Sequence, residues 1–173
     1  MARIFQERTT SEIEGDFVVF LIGFRANKWW KVWTWLPVAR SMPRMIVELT
    51  QNPDLGLLHA RSHFGFGSAM VVQYWRSFEH LHNYAVNRNA EHLPAWQAFN
   101  KSIGVNGDVG IWHETYLIKD GQYECIYGNM PAYGLGLAGN LVSAAGRARS
   151  ARGRLRRTDG KDQPVMDDGA EAS

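Results

Sequence analysis

Two histidines, His92 and His113, are the residues of this chain whose type and surroundings could best support chemistry. A neutral imidazole can ligate a metal or transfer a proton near neutral pH. Neither histidine belongs to an H-E-x-x-H or comparable zinc spacing, and the chain has a single cysteine, so a zinc enzyme is not expected. The nearby aromatic residues are Trp96, Phe99, Trp112 and Tyr116.

His92 is predicted to lie where a helix begins, and this helix is predicted to run to Gly104. Trp96 and Phe99 follow His92 at i+4 and i+7, so the three side chains share one face of the predicted helix. We therefore expect this face to form one wall of a pocket.

His113 is predicted to lie within a strand, Val109–Lys119. Strand alternation places His113 on one face and Trp112, Glu114 and Tyr116 on the other. If the predicted helix packs across this strand, His92 and His113 face one pocket from opposite sides. His113 and Glu114 are the predicted catalytic residues. The predicted substrate-pocket residues are Tyr74, Trp96, Phe99, Trp112 and Tyr116.

The composition bounds the class of protein. At 173 residues the chain is long enough for one domain with a real core. Seven Trp, eight Phe and six Tyr favour a buried interface or an apolar ligand site, and we expect a small organic substrate. No apolar run reaches membrane-span length, and the N-terminus does not resemble a signal peptide, so we expect a soluble, cytoplasmic protein without a membrane partner.

The order of elements predicts an α+β fold. Predicted strands and helices follow one another as β-α-β-β-α-β, which is ferredoxin-like, and Tyr123–Tyr127 is predicted as an extra strand. The first strand, Phe17–Phe24, is continuously apolar, so both of its faces should be covered. A second copy of the chain is the simplest cover, which predicts a homodimer that forms a dimeric α+β barrel.

The chain is predicted to divide into a domain with flanking arms. The predicted segments are an N-terminal arm (1–15), the ferredoxin-like domain (16–130), a small-residue and basic arm (131–157) and a disordered tail (158–173). The arm contains G-x-G-x-x-G at Gly134–Gly139, but not between the strand and helix of a βαβ unit, so it does not predict a dinucleotide site. Its arginines lack interleaved aromatic residues, so no nucleic-acid partner is expected.

Two segments near the first predicted helix leave alternatives open. Asn27–Trp35 has four tryptophans in nine residues, and it could pack over a sheet edge, act as a lid or subunit contact, or anchor at a membrane surface. The helix is predicted over Pro37–Gln51, with Pro37 in its first turn and Pro43 causing a kink or a second start.

Residues 16–157 resemble a monooxygenase-like family related to the small monooxygenase of fumagillin biosynthesis, long known as a domain of unknown function. The motifs that carry the resemblance are FVVFLIGFRAN, KVWTWLPVARSMPRM, QYWRSFEHLHNYA, EHLPAWQAFN, VGIWHETY and YGNMPAYGLG. The resemblance implies membership of the dimeric α+β barrels.

A more distant resemblance, covering about residues 77–116, is to haem-containing aldoxime dehydratases. Those enzymes carry a helix histidine and a later aromatic-His-Glu strand motif, which are similar to His92 and Trp112-His113-Glu114 here. The resemblance implies haem as cofactor, His92 as its axial metal ligand and His113 as a distal acid–base group.

Three functions remain open from the sequence. The first is a haem-binding barrel enzyme that oxygenates or dehydrates a small organic substrate. The second is a cofactor-independent monooxygenase in which His92 or His113 removes a proton from the substrate. The third is a non-catalytic dimeric protein that binds a ligand in the same pocket.

Overall fold

The computed structural model describes residues 2–87 and 106–162, and the chain forms two compact units. One unit comprises residues 16–117, and the other comprises residues 1–15 and 118–173. The predicted helix between His92 and Gly104 lies outside the described residues, as does most of the predicted tail.

The described part of the chain contains six strands and four α-helices. In chain order they are β1 (Thr9–Glu12), β2 (Phe17–Ala26), α1 (Val32–Gln51), β3 (Leu57–Gly65), β4 (Ser68–Trp75), α2 (Phe78–Val86), β5 (Val109–Ile118), α3 (Leu135–Ala138), β6 (Asn140–Ser143) and α4 (Ala151–Arg154). Short 3-10 turns lie at Pro53–Leu55 and Gly146–Arg149.

The larger unit contains a four-stranded sheet in the order β3-β4-β2-β5. This order places the first strand of the β-α-β-β-α-β unit beside the third and fourth, so the predicted ferredoxin-like fold is confirmed. β3 and β4 form a hairpin whose two-residue turn, Phe66-Gly67, uses a left-handed glycine (φ 65°). The turn-forming sequence Gly65-Phe66-Gly67-Ser68 between two strand-like segments predicts this hairpin loop, and the structure confirms it.

Both described helices of this unit pack on one face of the sheet, which we call the helix-covered face. Side chains that directly oppose each other in the register share a face, so Val18 and Trp75 identify this one. The core cluster on it consists of Val18, Leu49, Trp75, Leu81 and Tyr84. The opposite face, which we call the second face, carries the alternate side chains of each strand.

Helix α1 differs from its predicted form. It begins at Val32, five residues before Pro37, and it continues through Pro43 without interruption. An interior proline removes one helix hydrogen bond, and because both prolines are exposed, water can satisfy the carbonyls they free. None of the helices in the described part of the chain is long and apolar enough to span a bilayer.

The tryptophan-rich segment splits between two environments. Trp35, inside α1, stacks on Phe24 with ring centroids 6.4 Å apart and joins the core. Trp29, Trp30 and Trp33 are each more than half exposed. Packing against the sheet therefore describes only one of the four indoles.

The smaller unit contains a two-stranded antiparallel sheet of β1 and β6. The predicted extra strand at Tyr123–Tyr127 is wrong, because this segment joins no sheet, although Tyr127 forms an isolated bridge with Thr9. Its alternating residues are typical of a strand, but most of its hydrogen bonds to the β1 region involve side chains rather than a backbone ladder. Thr10 Oγ1 donates to the carbonyl of Cys125 at 2.7 Å, and the Tyr123 hydroxyl accepts from the backbone amide of Ile13 at 2.6 Å.

Candidate functional site

A cavity of about 420 Å³ lies between the helix-covered face and helices α1 and α2. We call it the helix-side cavity. Its described lining residues are Phe20, Ile22, Met45, Leu49, Gln73, Trp75, Phe78, Leu81, His82, Tyr84, Ala85, His113 and Thr115. None of these residues is Asp, Glu, Lys or Arg, so the cavity suits an uncharged organic molecule.

His113 brings an imidazole to the wall of this cavity. Its ring lies 5.7 Å from the ring of Phe20, centroid to centroid, at an interplanar angle of 41°. Thr115, two residues further along β5, lines the same cavity, as strand alternation requires. His113 is more than one-third exposed, so the residue contacts solvent as well as the cavity.

A second imidazole, that of His82, lines the cavity from helix α2. It stacks on Phe78, one helical turn earlier, with ring centroids 5.9 Å apart and an interplanar angle of 20°. A serine directly before a helical segment predicts an N-cap at Ser77, and the structure confirms it, because the Ser77 hydroxyl accepts from the His80 amide at 3.3 Å. His82 is not among the site residues predicted from the sequence, although Phe78 and His82 at i and i+4 share a helix face.

The cavity also has a polar group in its buried wall. Gln73 is 4% exposed, and its side-chain oxygen accepts a 2.8 Å hydrogen bond from Trp75 Nε1. That bond fixes the orientation of the amide at the cavity wall. Gln73 was not predicted as a site residue, although a glutamine inside an apolar strand is a signal, because a buried amide needs a partner.

The other predicted site residues of β4 and β5 lie on the second face. Trp112 covers Gly23 of β2, where an added Cβ would come within 2.9 Å of the indole ring. The Tyr116 hydroxyl donates a 2.5 Å hydrogen bond to Glu114 Oε2, and this bond raises the pKa of Tyr116. Tyr74 also faces this side, as its register with Val19 requires. The structure therefore places all four across the sheet from His113.

The second face carries a histidine of its own. His59 stacks on Tyr74 with ring centroids 6.5 Å apart and an interplanar angle of 20°. Burial, and then the charge of Arg61, lowers the pKa of His59. The imidazole therefore stays neutral to a lower pH than an exposed histidine does.

The remaining predicted residues, His92, Trp96 and Phe99, lie outside the described residues. Within residues 2–87 and 106–162, no group of three or more His, Cys, Asp and Glu side chains is placed to hold a metal ion. Of the predicted catalytic and ligand residues, the structure therefore places only His113 in the helix-side cavity.

Comparison with known proteins identifies relatives of the chain. A family profile described as Monooxygenase af470-like matches residues 17–135. Monooxygenase af470 of Aspergillus fumigatus is 28% identical over 151 residues, which cover 75% of this chain and 53% of that protein. The chain thus spans about half the length of this curated relative.

A solved structure supports the fold. The crystal structure of an aldoxime dehydratase in complex with butyraldoxime superposes with a TM-score of 0.63 at 13% identity. The match covers 80% of this chain and 43% of the dehydratase chain. At this identity the likeness establishes a shared fold.

Proposed function

This chain belongs to the monooxygenase af470-like family, and from that premise we propose that it is an enzyme that transforms a small, uncharged organic molecule in the helix-side cavity. The observation that carries the proposal is the position of His113. Its imidazole lies on the wall of a cavity that is otherwise mostly apolar, where a substrate would meet an acid–base group.

Each of the described cavity residues would have a distinct role in such a reaction. The rings of Phe20 and Trp75 hold an apolar substrate against the sheet, and the fixed amide of Gln73 orients a polar substituent. His113 removes a proton from an activated C–H group of an electron-rich substrate, and the carbanion adds dioxygen and takes the proton back to give a hydroperoxide. A CH₂ group becomes a carbonyl, the second oxygen atom leaves as water, and no external reductant is needed.

Haem is the alternative that the sequence resemblance raises. The apolar and aromatic lining fits the hydrophobic part of a porphyrin, and His113 supplies an imidazole on the same wall. His92 would bind the iron, and the apolar side chains of Phe20 and Trp75 would help to hold the group in the cavity. When bound, haem would supply an iron centre with Lewis-acid and redox chemistry. In this version too, His113 holds or moves a proton.

An absorption spectrum separates the two versions. Protein purified after haem-supplemented expression should show either a Soret band that is lost in His92→Ala and retained in His63→Ala, or no such band together with oxygen uptake on a phenolic or polyene substrate. The first result supports the haem enzyme, and the second supports the cofactor-independent monooxygenase. Colourless protein that binds such compounds without turnover would contradict both and favour a binding protein.

We also propose that a second copy covers the second face and completes a dimeric barrel. Trp112 and Tyr116 are 37% and 48% exposed there, an unusual state for large aromatic side chains in a sheet.

Sedimentation equilibrium tests this assembly. The measured molecular mass should be twice the 19.6 kDa mass of one chain. Leu21→Glu, which places a charge at the middle of the second face, should convert it to a monomer, because burying an unpaired carboxylate is costly. Val47→Glu, at a 54% exposed position on α1, is the matched control and should remain dimeric. A monomeric wild-type protein would rule out the dimer.

A further inference from the structure

A second cavity lies on the helix-covered face, beside the first. It measures about 380 Å³ and is bounded by the N-terminal half of α1 and the β3–β4 hairpin, so we call it the hairpin cavity. Trp35, Val38 and Ala39 line it from the helix, and Phe64 and Phe66 line it from the hairpin. Its described lining residues include no charged side chain.

The two cavities follow each other along the same elements. On α1, Val38 and Ala39 face the hairpin cavity, whereas Met45 and Leu49 face the helix-side cavity. Ile22, at the middle of β2, lines both. The branched aliphatic side chain of Ile22 therefore lies where the two cavities meet.

Polar groups are distributed unevenly between the two spaces. Both imidazoles and the amide of Gln73 line the helix-side cavity. In the hairpin cavity Ser62, which pairs with Val71 and so faces this side of the sheet, brings a hydroxyl, and most of the other lining residues are aliphatic, aromatic or glycine. An occupant with one polar end and a long apolar body matches this distribution.

We infer that the two cavities form one extended site for an elongated, uncharged, hydrocarbon-rich molecule, with its reacting end at His113 and its apolar tail in the hairpin cavity. Placing the reacting end there rests on the proposed function, whereas the shared occupancy rests on the cavities alone. Ile22 lies under the middle of such a ligand. Trp29 and Phe66, 55% and 88% exposed, form the rim through which the tail contacts solvent.

The inference is tested with n-alkanols from n-butanol to n-dodecanol, whose binding is measured by titration calorimetry. If the tail enters the hairpin cavity, affinity should rise by about four-fold per added methylene well beyond the length that fills the helix-side cavity. Ala39→Phe fills the hairpin cavity, so it should leave short alkanols unaffected and remove the gain for long ones. Val47→Phe, on the exposed side of the same helix, should change neither.

A second variant covers the case in which Ala39→Phe fails to fold. Phe66→Ala removes an exposed wall of the hairpin cavity, so it should weaken only the long alkanols while the thermal melt stays that of the wild type. Affinity that stops rising at the same chain length in the wild type and both variants would overturn the inference. Equal weakening of short and long alkanols would also overturn it. Because alkanol binding requires no turnover, a failure of the proposed catalysis would leave this result unchanged.

Discussion

His113→Gln should lower the turnover number by roughly 10²- to 10⁴-fold, the contribution typical of a positioned acid–base group. Glutamine keeps hydrogen-bonding atoms near those of the imidazole but cannot accept a proton near neutral pH. The substrate should still bind, because the apolar wall formed by Phe20, Trp75 and their neighbours is unchanged. We therefore expect kcat to fall while KM changes by only a few-fold, as measured by oxygen uptake on the phenolic or polyene substrate.

His63→Gln is the matched control for this loss. His63 pairs with Met70 and so lies on the second face, across the sheet from the helix-side cavity. The same substitution there should leave kcat unchanged. Equal activity of wild type and His113→Gln would remove His113 from the chemistry. A rise in KM at constant kcat would assign it to substrate binding instead.

Local sequence signals predicted most of the fold. The hairpin at Phe66-Gly67 and the N-cap at Ser77 could both be predicted from the sequence, because a left-handed glycine and a capping hydroxyl depend on only a few neighbouring residues. The start of α1 could not be predicted from the sequence. Tryptophans and prolines around Val32 give no clear helical pattern, and tertiary packing of Trp35 on Phe24 decides the outcome.

The site was harder to predict than the fold, for a geometric reason. Alternation along β5 separated His113 from Trp112 and Tyr116, but it could not say which face the helices cover. That choice depends on α1 and α2, which pack against Val18 and Trp75. Trp112 and Tyr116 are therefore close to His113 in sequence but lie on the opposite face of the sheet, and the described aromatic residues of the cavity come from other elements.

The largest stability effect should come from Trp75. This residue is 1% exposed, packs at 5.8 Å on the ring of Tyr84 and donates its indole hydrogen to Gln73. Trp75→Ala should lower the free energy of unfolding by about 3–5 kcal/mol, as large-to-small core substitutions do. A domain with typical stability of about 5–15 kcal/mol would lose a large part of it. Urea denaturation followed by circular dichroism measures the change.

Two further variants separate the contribution of packing to the stability loss from that of the hydrogen bond to Gln73. Trp75→Phe keeps an aromatic ring but leaves the buried oxygen of Gln73 without its donor, which should cost about 1–3 kcal/mol. Trp33→Ala removes an indole that is 71% exposed, so it should change stability by at most about 0.5 kcal/mol. Equal losses in Trp75→Ala and Trp33→Ala would contradict a core centred on Trp75. If Trp75→Phe also reduces turnover without unfolding the protein, the orientation of Gln73 matters to the reaction as well as to the fold, because Trp75 acts on the cavity through that amide.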